Sequence, residues 1–201
     1  MTDWPFDPLT PMKYGAILAD PPWAYVMRSE KGHAKSPEAH YDTMSVADLS
    51  ALPVEQLAGP DCMLFMWSTW PHLNVALKLM ADWGFTYITG GSWTKRTNRN
   101  WKVCFGTGYV LHSATEPFLV GKLNRPKTVS RTERNVIVAD EQIPDSIEAI
   151  RREHSRKPDQ MREMIERLLP HAYCCELFAR EPWFGHEVWG NETTKFAGTS
   201  S

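Results

Sequence analysis

Apolar residues in this chain fall into short unbroken runs bounded by polar, glycine or proline positions, the pattern of strands buried on both faces. Gly15-Ala16-Ile17-Leu18, within residues 14–19, is the first, and Cys62-Met63-Leu64-Phe65-Met66-Trp67 reads as a central strand. Phe85 to Trp93, Val136-Ile137-Val138, Ala172 to Phe178 and His186 to Trp189 predict further strands. Tyr109 to Leu111 and Glu116 to Val120 predict two more, paired as a hairpin. Helical spacing appears in three places. Ser45, with Asp48 three residues on, caps a short helix carrying Val46, Leu49 and Leu52. Pro71 stands at the first position of a helix with Leu73, Ala76, Leu77 and Met80, closed by Gly84. Pro158 opens the clearest helix, with Met161, Met164, Ile165 and Leu168 at i, i+3, i+4 and i+7. Residues 140–155 read as partly helical, and residues 1–13, rich in proline, as an extended arm. Strands alternating with helices predict an open α/β sheet.

Chemistry enters at Ala19-Asp20-Pro21-Pro22-Trp23, directly after the first strand. The prolines fix two φ angles and remove two backbone donors, leaving carbonyls that only accept. A carboxylate, rigid carbonyls and a flat aromatic ring within four residues suit a planar group bearing an amino group. The same residues read equally as a strand followed by a Pro-rich turn with a packed Trp. In open α/β sheets ligands lie beyond the carboxyl ends of the strands. Asp20, Glu176 and Asn191 all fall at or just after predicted strand ends. The polar stretch 24–44 follows the site and is placed to act as a lid.

The 201 residues suffice for one domain with a real core. No apolar run approaches a membrane span, and the N-terminus does not read as a signal peptide. The four cysteines lack metal-ligand spacing, so Cys62, Cys174 and Cys175 read as buried thiols in a reducing cytoplasm, with no metal expected. The net charge of −2 conceals a basic segment. Lys95, Arg96, Arg99, Lys102, Lys122, Arg125, Lys127, Arg131 and Arg134 face only Glu116 and Glu133 within residues 95–134. Such a segment is either a polyanion-binding surface or a set of solvated loops.

Beyond the Asp20 stretch, ordered pieces recur along the chain. They are His40-Tyr41-Asp42-Thr43-Met44, Leu64-Phe65-Met66-Trp67, Trp93-Thr94-Lys95, Gly108-Tyr109, Glu116, Leu119-Val120-Gly121, Lys157-Pro158-Asp159, Met164-Ile165-Glu166-Arg167, Glu176-Leu177-Phe178-Ala179-Arg180 and Gly190-Asn191-Glu192. In this order they resemble the DPPW-type N(6)-adenine methyltransferases, the MT-A-seventy family, over residues 14–192. The resemblance implies a Rossmann-like, circularly permuted methyltransferase fold using S-adenosylmethionine, with residues 1–13 as an arm and 193–201 as a polar tail. By similarity, Asp20 and the Pro21 carbonyl accept from the adenine amino group within the Asp20-Pro21-Pro22-Trp23 motif. Trp23 or Tyr41 packs on the base. Lys157 meets the methionine carboxylate of the cofactor. Glu176, Leu177 and Phe178 line its pocket, Arg180 and Asn191 contact its ribose, and Glu116 lies near the nucleoside. Two positions depart from the family: Ala179 replaces a glycine, and Glu192 replaces a glutamine, exchanging an amide for a carboxylate that only accepts.

The resemblance implies a stand-alone catalytic core like bacterial and phage members that act on DNA; host-genome marking as in restriction-modification, phage protection from restriction, and mismatch or replication signalling are all open as settings. RNA adenosine, or a non-catalytic nucleic-acid-binding subunit, are the alternatives. A base inside a duplex must be flipped or presented single-stranded. Trp101, between Arg99 and Lys102, suits nucleic acid, whereas Trp93, on a strand pattern, suits the core. Basic stretches 95–102, including Lys95, and 122–134 are then expected to meet phosphates.

Overall fold

The computed structural model describes residues 4–23, 43–97, 102–105, 110–141 and 156–194. In order the elements are β1 (Tyr14–Ala19), α1 (Val46–Ala51), a 3-10 turn (Val54–Leu57), β2 (Ala58–Trp67), a second 3-10 turn (Trp70–His72) and α2 (Leu73–Asp82). They continue with β3 (Thr86–Thr97), β4 (Thr115–Leu123), β5 (Val136–Glu141), α3 (Gln160–Leu168), β6 (Cys174–Leu177) and β7 (Glu187–Trp189). The strands form one seven-stranded sheet in the order β5-β3-β4-β2-β1-β6-β7. β4 runs antiparallel to both its neighbours, and the remaining pairings are parallel.

The period-2 alternation of a strand divides the apolar runs between two cores. On one face Ile17, Ala19, Leu64, Met66 and Leu119 pack with Leu49 of α1 and Ala76, Leu79 and Met80 of α2. On the other, Ala16, Leu18, Met63, Phe65, Trp67, Phe118 and Val120 pack with Met161, Met164 and Ile165 of α3. Each such fully buried large side chain stabilises the fold by about 1.5–3 kcal/mol. Two-sided burial is why β1 and β2 read as unbroken apolar runs.

The helix signals act as expected, with local shifts. The Ser45 hydroxyl accepts from the Asp48 N–H at 3.1 Å and caps α1. Gly84 ends α2 with φ +81°, a conformation that favours glycine. Pro71 lies in the 3-10 turn ahead of α2 rather than at its first residue. Leu77 points outward, and Leu79 takes the buried place.

Three expectations are corrected. The first residues are not an extended arm: residues 4–13 form turns, and Phe6 and Leu9 are buried in the core. Trp4 Nε1 donates to the Leu9 carbonyl at 2.7 Å, and Phe6 meets Trp189 edge-on. Val110 and Leu111 form no strand and are exposed; β4 pairs with β3 instead, and Tyr109 lies outside the described residues. The basic segment is not one surface. Arg125 N–H donates to Asp61 beside the start of β2, and Val129 N–H to Leu168 at the end of α3. Lys122, Arg125 and Lys127 therefore lie at the end of the sheet opposite Asp20. β4 itself carries the chain from one end to the other.

The cysteines carry no disulfide, and Cys62, Cys174 and Cys175 are buried. Burial pushes the Cys174 thiol up to about 12. Among the described residues no helix is long and apolar enough to cross a membrane. Of the expected lid, 24–44, residues 24–42 lie outside the described residues, as do 142–155 of the expected helical stretch 140–155, whose first two residues belong to β5 instead.

Candidate active site

Asp20 follows β1, which lies between β2 and β6, and its N–H donates to the Leu177 carbonyl at 3.3 Å. The carboxyl ends of three parallel strands thus meet at one carboxylate. Because β4 runs the other way, it brings its beginning to the same edge, and Glu116, its second residue, arrives there. Lys157, just before α3, joins the two. Its Nζ lies 2.9 Å from Asp20 Oδ2 and 2.8 Å from Glu116 Oε1. Lys95 closes the row, 3.3 Å from Glu116 and 4.8 Å from the centre of the Trp93 ring. Lys95 thus holds Glu116, and Trp93 is core, its indole N–H donating to the Ala139 carbonyl.

The two acids are driven apart. Burial raises Asp20; Lys157 opposes this and Glu116 adds to it, and the net pKa lies above the ordinary carboxylate value. Burial acts on Glu116 too, but Lys157 and Lys95 together outweigh it and hold its pKa below normal. Burial would lower Lys157, yet the two carboxylates raise it above an ordinary lysine. At neutral pH Glu116 and Lys157 keep their charges, and Asp20 is the group nearer to accepting a proton. This separation of two acids is what proton-handling sites use.

The prolines do more than stiffen the turn. Pro21 O already accepts the Trp23 N–H at 2.9 Å, and Pro22 O accepts the Met44 N–H at 3.1 Å. Pro21 has one lone pair left for a ligand. Trp23 is not an open platform: it is 5 % exposed and stacks on His72, with centroids 5.7 Å apart and planes 14° apart. Tyr41 and Trp101 lie outside the described residues.

A cleft beside Asp20 is lined by Leu18, Trp67, Lys157, Met161, Arg162, Glu176, Phe178 and Arg180, among others. Glu176 is on the α3 face of β6, and Arg162 Nε reaches its carboxylate at 2.8 Å. Arg162 was not singled out in the sequence; its signal is an arginine facing inward one turn into α3. Arg156 holds Glu181 at 3.0 Å in the same group. Burial lifts Glu176 to about 7, against the pull of Arg162. A carboxyl raised in the folded state stabilises below its unfolded pKa and loses that contribution as pH rises to its folded value. Stability measured by urea denaturation is therefore expected to fall between about pH 4.5 and 7 through Glu176. Glu176→Gln should flatten that slope; an unchanged slope would refute the assignment.

Phe178 holds φ +62°, uncommon for a side-chain-bearing residue, and it follows β6 at the cleft. Leu177 does not line the cleft with its side chain, which is fully buried with Ile17 and Ala19. The two departures from the family pattern are both accommodated. Ala179 is 1 % exposed, and its backbone lies against Gly190, where a Cβ would come within 2.8 Å of the Ala179 oxygen. Glu192 pairs with Arg180 at 2.9 Å, so the added carboxylate is neutralised. Asn191, exposed, stands beside this pair.

These residues fit S-adenosylmethionine. Lys157 offers an ammonium to a carboxylate, Glu176 and Asp20 offer acceptors to hydroxyl and amino groups, and Leu18, Met161 and Phe178 offer apolar cover. Trp67, 1 % exposed at the cleft wall, has an indole N–H without a hydrogen-bond partner among the described residues. A buried donor of that kind calls for an acceptor.

Known proteins match this chain over most of its length. The Type II methyltransferase M.MunI of Mycoplasma sp is 32% identical, the match covering 93% of this chain and 81% of that protein. An Arabidopsis thaliana protein, N(6)-adenosine-methyltransferase MT-A70-like, is 32% identical over 83% of this chain but only 22% of its own length. The Mus musculus N(6)-adenine-specific methyltransferase METTL4 is 27% identical over 91% of this chain and 38% of its own length. The chain thus spans most of the bacterial relative and a minor part of the eukaryotic ones. The MT-A70 family profile matches residues 14–192, and the chain belongs to the MT-A70 family.

Proposed function

We propose that this protein transfers a methyl group from S-adenosylmethionine to the exocyclic amino nitrogen at position 6 of adenine in DNA. The observation that carries this reading is the Asp20–Lys157–Glu116 cluster at the carboxyl end of β1 in a member of this family. The lone pair of that nitrogen is delocalised into the ring. Asp20 and the remaining lone pair of Pro21 O accept its two hydrogens, favour a pyramidal nitrogen and orient it. The cofactor supplies a methyl group already activated on a sulfonium. Lys157 and the Trp67 N–H hold its carboxylate, and Glu176, with Arg180 and Asn191, holds its ribose. The reacting atoms then need only alignment at about 3–3.5 Å. Asp20, raised toward protonation, takes the proton that leaves the nitrogen.

Residues 14–192 form the catalytic domain, and the sheet order, with β1 and its acid ahead of the cofactor-side β6 in the chain, supports a circularly permuted arrangement. The near-full-length match to a Type II methyltransferase supports DNA and a restriction-modification setting in the cytoplasm. A second reading, RNA adenosine, draws on the relatives named adenosine-methyltransferases. Incubation with S-adenosylmethionine and, separately, single-stranded DNA, duplex DNA and RNA, followed by nucleoside mass spectrometry, tests both. N(6)-methyldeoxyadenosine is the expected product. Product on RNA alone would replace the substrate, and none on any polymer would overturn the reading.

A further inference from the structure

The turn after β2 holds a large aromatic ring that is both fixed and open. Trp70 is 50 % exposed. Its indole N–H is nevertheless tied twice at the start of β4, to Thr115 O at 3.1 Å and to Thr115 Oγ1 at 3.0 Å. Pro71 stiffens the next residue, and His72, two on, is clamped by its ring hydrogen bond to Thr69 and by the stacked Trp23. The Trp of the Asp20-Pro21-Pro22-Trp23 motif thus braces the turn that presents Trp70. A ring held at its polar edge and bare on its face loses little freedom when something flat is laid on it.

Its surroundings select what that is. Thr115, which anchors the indole, pairs with Thr94, and Arg96 follows Thr94 on the same sheet face. Val103 bridges to Arg96 and shares that face. Glu116 and Lys95, by contrast, point to the opposite face, where Asp20 and its cleft lie. An aromatic face bordered by a cation is the make-up of single-strand nucleic-acid tracks. Trp70 lies across the sheet edge from the cleft, so it cannot cover the base held at Asp20.

We propose that Trp70 is a stacking platform for an unpaired base flanking the target adenine, with Arg96 beside a phosphate of the same strand. This rests on the nucleic-acid substrate proposed above. The test is the anisotropy of a fluorescein-labelled single-stranded oligodeoxynucleotide with wild type, Trp70→Ala and Trp70→Phe. Stacking on an aromatic side chain corresponds to a Kd weakened about tenfold in Trp70→Ala. Trp70→Phe should recover most of it. In turnover the loss should fall on KM for DNA rather than on kcat, with cofactor affinity unmoved. Equal affinity in Trp70→Ala and wild type overturns the platform. So does a loss that tracks a lowered Tm and weakened cofactor binding, which would make Trp70 structural. A wild-type protein that binds the oligonucleotide through Trp70 but methylates no polymer would overturn the reaction and leave the platform standing.

Discussion

Asp20→Asn is expected to lower methyl transfer about a thousandfold while the protein stays folded. Asparagine matches the carboxylate in size but replaces one acceptor oxygen with an NH2 group. That group points donors at Lys157 and at the adenine amino hydrogens, where an acceptor is needed, and it cannot take a proton. Stability should change little, because burial already acts against the Asp20 charge and Lys157 keeps Glu116 as a partner. Single-turnover methylation with a thermal melt alongside measures both. Activity within tenfold of wild type would remove Asp20 from the chemistry.

Lys157→Met should be the most damaging substitution for stability in the cleft. It removes the ammonium shared by two carboxylates whose side chains are 18% and 15% exposed. Removing one partner of a buried ion pair costs about 3–5 kcal/mol, because the remaining charge stays desolvated. Glu116 keeps Lys95, so Asp20 bears most of the loss. Its pKa, already raised, moves further above its unfolded value. A carboxyl shifted that way stabilises below its unfolded pKa and loses the contribution as pH rises. The gap to wild type in urea denaturation should therefore be wide at about pH 8 and narrow at about pH 5. Cofactor affinity should fall together with stability at neutral pH. A gap that widens on acidification would mean that Lys157 does not serve Asp20.

Much of the fold was legible because the strands are buried on both faces: β1, β2 and β6 show as apolar runs. The stripe of α3 and the Ser45 cap were equally readable. What failed did so for physical reasons. Phe6 and Leu9 are core residues, but the turns around Pro5 and Pro8 give them no period to read. Val110-Leu111 has strand composition yet lies exposed, since β3 occupies the edge of β4 that a hairpin would need. The basic segment looks continuous along the chain, but β4 separates its parts by the length of the sheet. At the site, Asp20 was visible from its own neighbours. The meeting of Lys157 with Glu116 depends on β4 running backwards, which no spacing encodes; the family resemblance supplied their roles instead. The resemblance names Trp23 or Tyr41 as the ring over the base; the stack of Trp23 on His72 is a tertiary contact that no spacing encodes.

The strand that carries Asp20 takes its two neighbours from distant parts of the chain. β2 follows it early, whereas β6 joins it near the other terminus, Ala16 beside Cys174. Until β6 docks, one side of β1 is an open row of backbone donors and acceptors, and the Asp20 amide lacks the Leu177 carbonyl. Pairings between remote segments are slow to close. A sheet of β1 to β5 without β6 would leave a naked edge beside Asp20. The surroundings of Asp20 are therefore complete only once two distant parts of the chain have met.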